Sequence, residues 1–517
     1  MNANDFIVRA GAKAGDVLGD VMTASVPAAR LAEACATLAA DGLPLSLLFA
    51  TDDRAADGTF GVHAVFALDE AHGWLMLSSK LPQENPRYPS VTAKVVAAHW
   101  YERYAMDMFG IVAAGHPDGR RLVHHENVPV GTHPLRKDFA WNSKLAQADV
   151  PYPMHHVEGE GVYEIPVGPI HAGVIEPGHF RFNVAGERII TLEGKLFFTH
   201  KGVEKILEGK TVEQALPFIE RLSGDMAASN ALAFCQAAEK ISGCDVPERA
   251  TAIRTILCEL ERMTMHIHDL ANIAGNGTGY TVMAAHGFRI KERLVRLSAA
   301  LLGNRFWRGA IVPGGLAADI NDGRLKEAVA AASDAHEEMR ALVSMCLSSD
   351  GERERLETTG VLTKEAAVAL GALGLPARAS GIARDTRLTH PYAAYAKHRP
   401  EIVTENFGDV YARFIARVRE LDDSMRLIKA VTETMPAGQI RVACAAKDGF
   451  AIGAVESWRG ELLCALRLKD GRIDRCAPRD PSFCNWPLFG EIGPGNIVPD
   501  FPLCNKSLDL SYSGTDM

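Results

Sequence analysis

The apolar residues of this chain change their period once, and that change constrains the fold more than any single residue does. In the first 140 or so residues they fall in short strand-like runs, at Leu45 to Ala50, Gly61 to Leu68 and Trp74 to Ser79, after a helix-like opening from Arg30 to Ala40. A segment from Val91 to Phe109 has helical spacing, and the Gly-, Pro- and His-rich stretch from Gly115 to Phe139 reads as extended. Strand patterns return at Arg181 to Gly186 and Glu187 to Leu192, after which steps of three and four residues dominate. In the clearest helix, Gly243 closes the preceding one and Pro247 suits a first turn. Ile253, Ile256, Leu257, Leu260, Met263 and Ile267 then form one apolar stripe. Arg254, Glu259, Glu261, Arg262, His266 and His268 lie on its other sides, where a solvated or interdomain face is expected. The fold class is therefore α+β: a small α+β domain over residues 1–140, a linker over 141–164, and a larger, mainly helical domain with a small antiparallel sheet over 165–517.

A chain of 517 residues, 47% of them hydrophobic, exceeds one compact core and has ample apolar surface for two or three. Its net charge of −9 is spread over interspersed acids and bases, leaving no basic patch for nucleic acid. Apolar stretches are broken by charge before the roughly 20 residues a bilayer requires, and the N-terminus lacks a signal-peptide pattern. The expectation is a peripheral protein on the cytoplasmic side. No two of the ten cysteines are separated by only two residues, so neither a disulfide framework nor a zinc or iron-sulfur site is signalled.

Two sets of motifs carry a family resemblance. Glu102 and Arg103, Asp107 to Ile111, Gly115 to Asp118, Arg120 and Arg121, and His133 to Phe139 resemble the 30 kDa subunit of respiratory complex I. The charged pair Glu102 and Arg103 and the forked guanidinium of Arg136 suit either docking to a partner or bracing of their own domain. The docking reading makes this domain an assembly module. From Ile165 to about Arg426 the chain is similar to the 49 kDa subunit of complex I and to the large subunits of membrane-bound nickel-iron hydrogenases. The matching residues include Gly168 to His171 with Glu176 to Arg181, His200 to Lys205, Pro217 to Arg221, and Glu259 to Arg262 with His266. Pro313 to Gly315, Arg378 to Gly381 with Asp385 and Arg387, and Gly408 to Arg413 continue the match.

That resemblance implies a site in which two CxxC pairs hold nickel and iron through four thiolates. Here Ser223 and Met226 stand at the first pair and Ser482 and Asn485 at the second. A protonated hydroxyl, a neutral thioether and an amide supply no thiolate charge, so no metal is expected. The complex I counterpart of the cavity binds a quinone headgroup, yet Gly224 stands where its tyrosine is expected and Pro177 near the place of its histidine. The polar cavity candidates are His171, Glu176, His179, Arg221, Ser223, Asp225, His266, Asp480, Ser482 and Asn485. Of these, Asp225 needs a cationic partner, with Arg221 or Arg262 the expected one. The prolines and large apolar residues of the C-terminal tail from Gly495, with few charges, fit an ordered extended segment, and the resemblance places it beside the site and implies no cofactor on this chain beyond a possible quinone. The implied partners are an iron-sulfur small subunit, a ferredoxin-like iron-sulfur subunit and antiporter-like membrane subunits at the cytoplasmic face of the inner membrane. Four functions are compatible: coupling of electron transfer or cavity movement to ion translocation, quinone reduction as in an NADH dehydrogenase, a hydrogenase or formate hydrogenlyase large subunit, and a silent scaffold.

Overall fold

The computed structural model describes residues 3–171 and 175–517. The N-terminal region is built on a five-stranded sheet in the spatial order Lys13–Leu18, Val21–Ser25, Gly73–Pro82, Thr59–Leu68, Leu45–Asp53, with the Val21–Ser25 and Gly73–Pro82 strands parallel and the other pairs antiparallel. The strand-like runs of the sequence coincide with its three longest strands. Both faces are covered, which is why the Thr59–Leu68 strand is buried almost throughout and not on alternate residues.

The expected helix from Val91 to Phe109 is regular only over His99–Phe109. Its first turns are diverted by the buried Glu102 carboxylate, which accepts from Val91 N, Thr92 N, Thr92 Oγ1 and Ser90 Oγ at 2.6–3.1 Å and so ties residues 90–92 into a turn. Gly110 closes this helix at φ +71°, where a Cβ would stand 2.5 Å from both Arg136 Nη2 and His133 Nε2. Arg136 donates to Phe109 O at 2.7 Å and lies over the Phe60 ring, while Arg103 donates to the carbonyls of Arg120 and Arg121. These motif residues brace their own region.

The second region is organised by the helix Glu248–Asn272, packed between Thr281–Leu302 and Val410–Glu433. Pro247 is its N-cap residue, one position before the first turn. All six stripe residues are buried, but so are Arg254, Glu259, Glu261, Arg262 and His266, each at most 2% exposed. The face expected to be solvated or interdomain is not solvated: it is buried, with ion pairs for most of these residues and backbone and hydroxyl donors for Glu261.

Two three-stranded antiparallel sheets belong to this region. Val162–Val167, His179–Ala185 and Arg188–Lys195 form the expected one. The other, Gly449–Ser457, Gly460–Lys469 and Arg472–Arg479, was not apparent from periodicity, because charged residues such as Glu456, Glu461, Arg475 and Arg479 are buried in it as partners of other charges. It packs on the helix Ala227–Ser242 so closely that a Cβ at Gly453 would lie 1.8 Å from Ala233 O. The C-terminal tail is helical, not extended, over Phe501–Leu508 and Tyr512–Asp516. Pro502 suits the first turn of one helix, and Ser511 Oγ caps the other by accepting from Gly514 N at 2.9 Å. Asp516 is fully buried and anchors the tail by accepting from Phe197 N and Thr199 N at 2.8 and 2.9 Å. Among the described residues no helix is long and apolar enough to cross a membrane.

Candidate functional site

The two segments that align with metal-ligand pairs meet through the C-terminal tail. Ser223 Oγ lies 3.1 Å from Ser511 Oγ, and Ser511 N donates to Ser482 Oγ at 3.0 Å. Ser511 thus links the two segments. Each of the four positions is already committed: Ser223 Oγ also donates to Asp225 Oδ1, and Asn485 both accepts from Leu373 N at 2.9 Å and donates to Leu373 O at 3.1 Å. Met226 is fully buried in the apolar core. A hydroxyl pair, a thioether and a doubly bonded amide do not fit a nickel-iron centre, whose soft cations need anionic sulfur. Among the described residues, no group of three or more His, Cys, Asp or Glu side chains is placed to hold a metal ion.

Next to these positions opens a cavity of about 690 Å³, bounded by Gly224 and Asp225, the helices Glu248–Asn272 and Thr281–Leu302, the loop through Arg308, and the tail residues from Asn505 to Tyr512. Arg459 forms its floor. The arginine sits in the hairpin between Gly449–Ser457 and Gly460–Lys469, and its guanidinium grips Asp225 with two bonds, Nη1 to Oδ1 at 3.0 Å and Nη2 to Oδ2 at 2.8 Å. It also stacks over the Trp458 ring at 3.8 Å, and Trp458 Nε1 in turn donates to Asp225 O at 3.1 Å. Asp509 Oδ2 approaches the same guanidinium at 3.4 Å.

This arrangement separates the carboxyl groups by proton affinity. Burial pushes Asp225 up, but Arg459 and the Ser223 hydroxyl outweigh it and leave Asp225 below the usual carboxylate range. Asp509 is raised to about 7 by burial and by the nearby Asp269 carboxylate. Burial likewise raises Glu261 to about 7, although Ala228 N, Ser229 N and Ser229 Oγ all donate to it. Asp480, whose Oδ1 caps the short helix Pro481–Asn485, is raised mainly by burial. The cavity wall therefore holds one fixed anion and two groups that exchange protons near neutrality.

Of the residues singled out in the sequence, Gly224, Asp225 and Glu176 line the cavity, while Ser223, Met226, Ser482 and Asn485 lie behind its wall. Glu176 Oε2 accepts from Ser513 N at 3.0 Å. His171 and His179 are occupied with the carbonyls of Gly178 and Gly168, each at 3.0 Å. Arg221 is exposed, donates to Pro217 O, and does not reach Asp225. Arg262 is also not the partner of Asp225: it donates to Ser457 O and Glu456 O and pairs with Glu259. The partner is Arg459, and Asp509, Lys291, Lys506 and Arg308 are further wall residues not singled out in the sequence. The dipeptide Trp458-Arg459 between two strand-like runs was the available signal for a turn arginine, had the runs been recognised. His266 lies outside the cavity, fully buried, with Nε2 at 3.0 Å from Glu420 Oε2.

Residues 24–145 match the family model of the 30 kDa subunit of respiratory-chain NADH dehydrogenase, and residues 277–450 that of the 49 kDa subunit. Hydrogenase-4 component G of Escherichia coli K12 is 31% identical over 91% of this chain and 83% of its own length. Formate hydrogenlyase subunit 5 of the same organism is 32% identical over 91% and 84%. The membrane-bound hydrogenase subunit alpha of Pyrococcus furiosus is 32% identical over 68% and 87%. A chain in the solved structure of the membrane-bound sulfane sulfur reductase, an archaeal respiratory membrane complex, superposes with a TM-score of 0.66 over 71% of this chain and all of that one, at 24% identity, a likeness of fold.

Proposed function

We propose a function from one premise: the chain belongs to the family of fused 30 kDa- and 49 kDa-type subunits shared by hydrogenase-4, formate hydrogenlyase and complex I-like membrane complexes. In this reading it is a peripheral large subunit on the cytoplasmic face of such a complex, where the cavity beside Asp225 takes the place of a metal centre. Electrons arrive from or leave to iron-sulfur clusters of a partner small subunit. A small-molecule redox partner enters the cavity, and Asp509 and Glu261 take up or release the protons that accompany its reduction or oxidation. The resulting change of charge beside Arg459 is what couples the site to ion movement through membrane partners.

The observation that carries this reading is the contrast at one place: Ser223, Ser482 and Asn485 are committed to hydrogen bonds and Met226 to the apolar core, yet the adjoining cavity keeps about 690 Å³ of open volume and carboxyl groups near pH 7. A quinone headgroup is a second candidate, supported by the apolar part of the wall, where Ile175, Phe288, Val295, Phe306 and Leu510 face the cavity.

The test is Asp225→Asn in the purified intact complex. The neutral side chain keeps the shape but loosens Arg459, so turnover with the physiological electron donor falls and its pH profile shifts, while subunit composition is unchanged. An unaltered profile across the pH range rules the cavity out as the redox site.

A further inference from the structure

Three cations on the cavity wall have no anionic partner. Lys291 comes from the helix Thr281–Leu302, Lys506 from Phe501–Leu508 and Arg308 from the loop that follows the first of these. Among the described residues none of the three has a carboxylate within 4.0 Å, and Arg308 Nε is buried without a hydrogen-bond partner. Residues 1, 2 and 172–174 carry no acid that could supply one. These are not surface lysines extended into water: both are half-buried, and burial lowers the proton affinity of each ammonium.

The acids on the same wall act on the two lysines only from beyond ion-pair distance, and burial outweighs them. Asp225 is bound at both oxygens by Arg459, Glu261 is turned to the backbone at Ala228 and Ser229, and Asp509 leans toward Arg459. Arg305, the fifth cation, pairs with Glu292. Arg308 lies beside Gly224, its Nη2 at 3.6 Å from where a Cβ would be, so no side chain at 224 screens it from the cavity. Cations from three separate elements therefore face one space with their donors free. Half-buried, unpaired charge is costly, and the cost is removed when an anion with oxygen acceptors binds between them.

We propose that the cavity is an anion site, in which Lys291, Arg308 and Lys506 hold a compact carboxylate or oxyanion, and that the redox partner of the complex carries such a group. This rests on the reading of the cavity as the redox site and narrows it to a class of molecule. Arg308 supplies a planar fork for two oxygens, and the two lysines supply mobile point charges from the opposite helices.

Equilibrium dialysis of the intact complex against labelled sulfate and labelled formate, at constant ionic strength in chloride, tests the proposal. One saturable site per chain is expected, with affinity reduced about tenfold by Lys506→Gln and again by Lys291→Gln, and largely retained in Lys506→Arg. Each variant is compared with wild type for subunit composition, so that loss of binding is not loss of assembly. Absence of a saturable site, or equal binding by wild type and the double variant, overturns the proposal. So does competition for the cavity by a neutral short-chain benzoquinone that neither anion displaces. If Asp225→Asn changes the pH profile while the anions fail to bind, the redox reading stands and the anion class falls; if neither responds, both fall.

Discussion

The interior ionic cluster and the cavity wall are both rich in charge, and they treat it in opposite ways. Behind the cavity, Glu259, Asp385, Glu420 and Glu456 meet Arg262, Arg378, Arg387 and His266, all at most 3% exposed, and every member has an oppositely charged or protonatable neighbour within 4.0 Å. Arg378 alone bridges Glu420 and Glu456, at 2.8 and 2.7 Å. On the cavity wall, in contrast, cations stand unpaired and two carboxyls sit near their midpoints at neutral pH. Charges that complete one another fix the packing of the helices Glu248–Asn272 and Val410–Glu433 against the C-terminal sheet. Charges left incomplete around an open volume are available to a ligand.

The comparison breaks most readily at its rigid end. Arg378→Ala leaves the buried Glu456 without a cation and takes from Glu420 one of its partners, so the chain should lose about 3–5 kcal/mol of stability and fail to accumulate in the complex. Subunit yield and urea unfolding measure this, and a variant of wild-type stability would show that the cluster does not hold the fold. The effect at the cavity is smaller and depends on pH. The carboxyl of Asp509 has a higher proton affinity when folded than when unfolded, so its contribution to stability is present below the ordinary carboxylate range and is lost as pH rises through about 7. Asp509→Asn should flatten the fall in thermal midpoint between about pH 5 and pH 8, and an unchanged slope would place that titration elsewhere.

How much of this could be read in the chain follows the same division. The N-terminal strands and the apolar stripe from Ile253 to Ile267 were legible because burial there follows period. That Ser223 and Ser482 stand close together was within reach of the motif positions, which place both at one site of the family pattern, and Ser511 joins them. The polar sides of the Glu248–Asn272 helix were read only as solvated or interdomain, since spacing reports which residues share a face but not that Glu420 and Arg378 arrive from far along the chain to satisfy them. The sheet at 449–479 was hidden for that reason too. Arg459 is more than 230 residues from Asp225 in sequence, and the tail that carries Lys506 and Asp509 is held at the cavity by distant partners, Ser482 at Ser511 and Phe197 at Asp516. No local pattern encodes those meetings.

The central claim is the proposal that the open cavity beside Asp225, and not a nickel-iron centre, is the working site of this chain. Elemental analysis of the purified intact complex for nickel, with iron measured alongside, tests it most directly. The account predicts no nickel and iron equal to the content of the partner subunits' clusters. One nickel per chain would contradict it, and would require ligands other than Ser223, Met226, Ser482 and Asn485.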